Sequence, residues 1–117
     1  MKDNIIKNKS FAFALEIIAL YKLLFDNKEF ILSKQLLRSG TSIGANVNEA
    51  LAAESRADFV HKMSIASKEA RETLYWLELL NTSQIVKQDF TKYVIDCSEI
   101  VKILTNIVKS TKMNINS

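Results

Sequence analysis

Apolar residues recur every three to four positions along four stretches of this chain, and short polar runs separate the stretches. That period is helical, and it predicts helices over about 10–26, 31–53, 56–81 and 88–111, with flexible tails outside them. In the first, Phe11, Leu15, Ile18 and Phe25 share one face, with Ala14, Ile17, Tyr21 and Leu24 beside them. Phe13, Leu20 and Leu23 carry the apolar surface well past the roughly 100° that a bundle helix buries. A second buried contact, with another subunit, is the expected use of that excess.

The second stretch sets Leu32, Leu36, Ile43, Val47 and Ala50 at helical spacing, after a turn at Asn27-Lys28-Glu29. The third opens on Ser55-Arg56-Ala57-Asp58, where Ser55 is placed to cap the helix and Asp58 to favour its positive end. Phe59, Met63, Ala66, Ala70 and Leu77 mark its inner face. In the fourth, Phe90, Val94, Cys97, Val101, Leu104 and Val108 alternate steps of four and three, the seam of a bundle or coiled coil. Long helices joined by short loops must pack antiparallel to their neighbours. The pattern therefore predicts one all-α domain over residues 1–117, an up-down-up-down four-helix bundle.

Composition agrees with that reading. Among 117 residues there is no proline, and Gly40 and Gly44 are the only glycines, so the usual punctuation of sheets and tight turns is missing. One cysteine and one histidine are too few for a structural zinc site or an internal disulfide, and they fit a reducing, cytoplasmic compartment. Charges at Lys7, Lys9, Glu16 and Lys22 interrupt every apolar run before it reaches the length of a signal peptide or a membrane span. No cofactor, metal, membrane or small-molecule substrate is expected.

The net charge of +3 is modest, but it is unevenly placed. Lys2, Lys7, Lys9, Lys102, Lys109 and Lys112 face only Asp3 in the two terminal segments, which leaves the middle of the chain slightly acidic. An up-down topology brings both termini and the turn between the second and third helices to one end of the bundle. Lys2, Lys7, Lys9, Arg56, Lys109 and Lys112 would then form a basic pole able to meet phosphate backbones. Solvation of the tails is the plainer use of the same charges.

Several constellations bear on chemistry. Gly40-x-x-x-Gly44, among Ser39, Thr41, Ser42 and Ala45, makes a small-residue face suited to close helix approach. Ser39, Ser42, Asn46 and Glu49 form a polar stripe beside it. With a hairpin turning near Ser55, Arg38 should fall near Glu69 or Glu72, and Glu49 near His61 or Lys62, in a structural polar network. Asp58-x-x-His61 supplies half of a di-metal carboxylate motif and no second half exists. Arg56 and His61 have the spacing of a ribonuclease motif of helical-bundle enzymes of the HEPN type, the histidine moving a proton and the arginine steadying phosphate charge. Five residues along a helix are about 140° apart, however, so the two meet only if Arg56 precedes the helix or a second subunit contributes. Tyr75 and Trp76 point to adjacent faces, so one of them belongs at an edge.

Three linked motifs, Ser42-Ile43-Gly44-Ala45-Asn46-Val47-Asn48-Glu49-Ala50, Ser55-Arg56-Ala57-Asp58-Phe59 and the run from Ser67 to Leu80, resemble the bacterial four-helix bundle proteins first noted in intervening sequences of 23S ribosomal RNA genes. The likeness extends over about residues 10–112. It implies a left-handed bundle, assembly into homo-oligomeric rings, typically pentamers, and no enzymatic activity. The chain is also similar to the accessory protein of diversity-generating retroelements, a basic pentameric bundle that binds nucleic acid and a reverse transcriptase. The expected function is accordingly a non-catalytic, oligomeric bundle that binds RNA or DNA, or a nucleoprotein partner, through the basic pole. An interaction scaffold without nucleic-acid binding is the alternative, and a metal-independent ribonuclease using Arg56 and His61 a third.

Overall fold

A computed structural model describes the backbone of residues 3–116 and the side chains of residues 5–113. Four helices follow one another: α1 (Asp3–Asp26), α2 (Leu32–Leu51), α3 (Arg56–Ser83) and α4 (Thr91–Asn116). Each packs on the next, and α4 returns to α1 through the sparsest of the four seams. Contacts across every seam run in opposite chain directions. Gly40 meets Ile17 and Gly44 meets Ser10; Arg38 reaches Glu72 and Lys62 reaches Glu49; Cys97 meets Ala70 and Phe90, just before α4, donates its N–H to Asn81; Lys9 reaches Glu99 and Lys92 reaches Glu16. The bundle is thus up-down-up-down, 49 Å long and 22 to 23 Å across.

The ends of the helices have local causes. The Glu29 carboxylate accepts the N–H groups of Ile31 (3.2 Å) and Ser33 (2.6 Å), while the Ser33 hydroxyl donates to the Glu29 carbonyl (2.7 Å). This reciprocal capping starts α2 in place of a side chain at Ile31, which makes no cap bond. Ser55 caps α3 by accepting the Asp58 N–H at 3.0 Å. The helix stops where Gln84 turns left-handed (φ 51°) and returns its N–H to the Leu80 carbonyl. Lys28 makes the same turn after α1, at φ 64°.

Two helices are longer than periodicity indicated. The segment 3–9, read as a tail, is the first part of α1, and Ile6 in it is buried. At the other end α4 continues to Asn116 rather than stopping near 111. A helix that rests on a neighbour needs no strong sequence signal of its own, because packing supplies its stability.

The inner face of α1 differs from the one expected. Phe13, Ile17, Leu20 and Leu24 lie in the core, whereas Phe11, Leu15, Ile18 and Phe25 are 63%, 55%, 47% and 46% exposed. Both stripes are apolar, so the helical period cannot rank them. The choice is made by fit against α2, where Gly40 leaves room for Ile17 and Gly44 for Ser10. The buried line of the fourth segment is Phe90, just before α4, then Cys97, Ile100 and Leu104 on it, with Val94, Val101 and Val108 half-buried, a slight rotation from the expected seam.

Candidate functional site

The topology brings the start of α1, the α2–α3 turn and the end of α4 to one end of the molecule. There Lys7, Arg56, Lys109 and Lys112 are exposed and, among the described residues, none of them forms an ion pair. Lys9 is different, since its ammonium is paired with Glu99 across the α1–α4 seam. Lys2 lies outside the described residues. Lys62, which the sequence left out of the basic set, is held 3.6 Å from Glu49.

These cations do not surround a flat face. Where α1 and α4 part, an open cavity of about 490 Å³ enters the bundle between Ile5, Ile6, Leu51, Phe59, Met63 and Ile107. Asn106, Ser110 and Thr111 give one wall its polar groups. Leu51, Phe59 and Thr111 also border an adjoining recess of about 530 Å³ that holds Glu54, Ser55 and Arg56. Sequence reasoning missed this cavity because Ile5 and Ile6 stood in a segment read as tail; their apolar pairing, set against the helical phase of Ile17, was the available signal.

The polar stripe of α2 divides into separate pieces. Arg38 stands between Glu69, at 3.3 Å, and Glu72, which also accepts the Trp76 indole N–H at 3.1 Å. Thr73 and Ser39, both buried, share a 2.8 Å hydrogen bond between α3 and α2. Ser42 and Asn46 instead donate within α2, to the carbonyls of Arg38 and Ser42. Glu49 turns to Lys62. Ser39 and Glu49, with Arg38, thus clasp α2 to α3 at separate points, while Ser42 and Asn46 bond within α2. Trp76 is half-buried beside Glu72, and Tyr75 is the exposed member of the aromatic pair.

Arg56 is the first residue of α3 and His61 lies exposed on the same helix. Within one chain they therefore diverge by the full 140° of a five-residue helical step. No group of three or more histidine, cysteine, aspartate or glutamate side chains is placed to hold a metal ion among the described residues. Cys97 donates to the Ala70 carbonyl at 3.3 Å; burial, helped by the charges of Glu78 and Asp96, pushes its thiol up to about 12. A thiol held protonated in this way is not poised as a nucleophile.

An all-α four-helix bundle with clasped polar pairs and one open, cation-rimmed end is a class of protein rather than an activity. No described helix is long and apolar enough to cross a membrane. The family model of the 23S rRNA-intervening sequence protein matches residues 2–106, and the chain belongs to that family. It is also similar to a solved structure of a protein of unknown function from the S23 ribosomal protein family of Bacteroides thetaiotaomicron, at 54% identity and a TM-score of 0.87. That likeness covers 93% of this chain and 99% of the other. No curated protein matches the chain.

Proposed function

We propose that the protein is a non-catalytic homo-oligomeric scaffold whose subunits meet through the outward face of α1. The observation that carries this reading is the exposed stripe of Phe11, Leu15, Ile18 and Phe25. From Phe11 to Phe25 the stripe runs about 21 Å along the helix at 1.5 Å per residue. Phe30 extends it, its ring edge-on to Phe25 with centroids 4.9 Å apart. Large apolar patches of this kind mark contact surfaces, because leaving them in water forgoes the free energy of their burial. The ring, typically pentameric, that the family resemblance implies gives such a face an occupant. Static light scattering reads the outcome directly. The wild-type chain should have a mass several times that of one subunit, and Leu15→Glu/Ile18→Glu should reduce it to the monomer while helical circular dichroism is retained. A monomeric wild-type protein would overturn the proposal.

A second reading, nucleic-acid binding, is favoured by four cations at one end of the bundle that form no ion pair among the described residues. Phosphate contacts of that number make affinity fall steeply with salt. Titration of labelled RNA and DNA over a salt series should show such a fall, reduced in Lys109→Gln/Lys112→Gln. Binding that ignores salt, or no binding at low salt, leaves the scaffold alone.

A further inference from the structure

The end of the bundle that carries these cations also holds an apolar cavity, with Arg56 in the recess beside it, and that combination selects a ligand neither scaffold nor phosphate backbone accounts for. We infer that this end binds a free, single-tailed anionic amphiphile, its hydrocarbon chain in the cavity and its carboxylate at Arg56. The cavity volume, about 490 Å³, falls within the range of small-molecule sites, which are mostly apolar with a few polar groups on one side. Its walls come from all four helices: Ile5 and Ile6 of α1, Leu51 of α2, Phe59 and Met63 of α3, Ile107 of α4.

The adjoining recess gives the head its place. It shares Leu51, Phe59 and Thr111 with the cavity, so the two form one depression with an apolar inner part and a polar outer part. Arg56 is the cation in that recess, exposed and without an ion pair among the described residues. A guanidinium meets a carboxylate with two parallel hydrogen bonds. Glu54, also in the recess, disfavours a dianionic head and so fits a monoanion better than a phosphate monoester. Lys7, Lys109 and Lys112 follow or precede the lining residues Ile6, Ser110 and Thr111 in sequence and raise the positive potential at the mouth.

Other occupants fit less well. The cavity's lining spans about 12 Å of α4, from Ile103 to Thr111, and shorter lengths of the other three helices, too little for a partner helix. Among the described residues Phe59 is the one aromatic side chain lining it, against the several on which unpaired bases stack. The α1–α4 seam beside it is the sparsest in the bundle.

The test is isothermal titration of the full chain with sodium decanoate below its micelle concentration. Saturable binding of one decanoate per chain is expected. Ile107→Trp and, one turn earlier on the same wall, Ile103→Trp each fill the cavity and should weaken it at least tenfold, with helical circular dichroism as the check that the variants fold. Arg56→Gln should weaken decanoate about tenfold, the loss of one charge-assisted pair, while leaving decan-1-ol unaffected. Leu15→Glu/Ile18→Glu, on the outer face of α1, should leave decanoate binding unchanged, so failure here is separable from failure of the scaffold reading. No saturable binding, equal binding by the filled variants, indifference to Arg56→Gln, or association only with micelles or anionic vesicles would each overturn the assignment.

Discussion

Gly40 and Gly44 sit one helical turn apart on the same buried side of α2, and replacing each by alanine should change stability in opposite directions. Relief of backbone entropy is the same for both, about 1 kcal/mol in favour of alanine in a helix interior. It therefore cancels when the two variants are compared, and the difference isolates packing. A Cβ at Gly44 would lie 3.5 Å from the Ser10 carbonyl and hydroxyl oxygens, an ordinary contact. At Gly40 it would lie 2.8 Å from Ile17 Cγ2, 3.0 Å from Cγ1 and 3.3 Å from Cβ. Ile17 is fully buried, and its β-branched stem has no free rotamer through which to yield. Overpacking of this kind costs about 1 to 3 kcal/mol. Gly44→Ala should thus gain up to about 1 kcal/mol. Gly40→Ala should lose about 1 kcal/mol net, leaving some 2 kcal/mol between them. Urea unfolding at one fixed protein concentration measures both, with equal slopes required so that midpoints can be compared. A Gly40→Ala protein as stable as Gly44→Ala would refute the claim that α1 and α2 touch through Gly40.

Three further outcomes follow from the same geometry. Cys97 keeps its proton up to about pH 12 in the folded chain, while the unfolded thiol loses it near 9.0. The native state therefore binds the extra proton across that interval, stability falls as pH rises from about 9 to 12, and a thiol reagent at pH 8 should label Cys97 only as fast as the bundle opens; rapid labelling would contradict its burial. Lys28→Gly should stabilise the protein by about 1 kcal/mol, since φ 64° costs an L-residue what glycine avoids, and an unchanged thermal midpoint would count against that turn. Thr73→Val should cost about 1 kcal/mol by leaving the buried Ser39 hydroxyl only its 3.5 Å bond to the Leu36 carbonyl, and Ser39→Ala/Thr73→Val less than the sum of its parts; additive losses would show that the 2.8 Å pair contributes nothing jointly.

Some of this was legible before any coordinates. The start of α3 was written in Ser55-x-x-Asp58, because a cap is a local bond between near neighbours. The placing of Arg38 beside Glu69 and Glu72 followed from hairpin arithmetic, because two antiparallel helices of equal rise keep a constant sum of residue numbers. What lacked a local signal was the side of α1 that faces inward. Phe11 and Phe13, Leu15 and Ile17, Ile18 and Leu20 are interchangeable to a hydrophobic period. The basic end was likewise half legible: its charges could be counted along the chain, but not the pairing of Lys9 with Glu99 or the cavity at the same end.

The sequence by itself determined four helices, their order and their antiparallel register, since these depend on spacing, capping and loop length within the chain. Only the tertiary structure decided which apolar stripe of α1 is core and which stays exposed, because that choice rests on the steric fit of Ile17 into the space left by Gly40. It alone also decided that the open end is a cavity, since a void exists only where neighbouring helices diverge, and no single helix encodes its distance from the next.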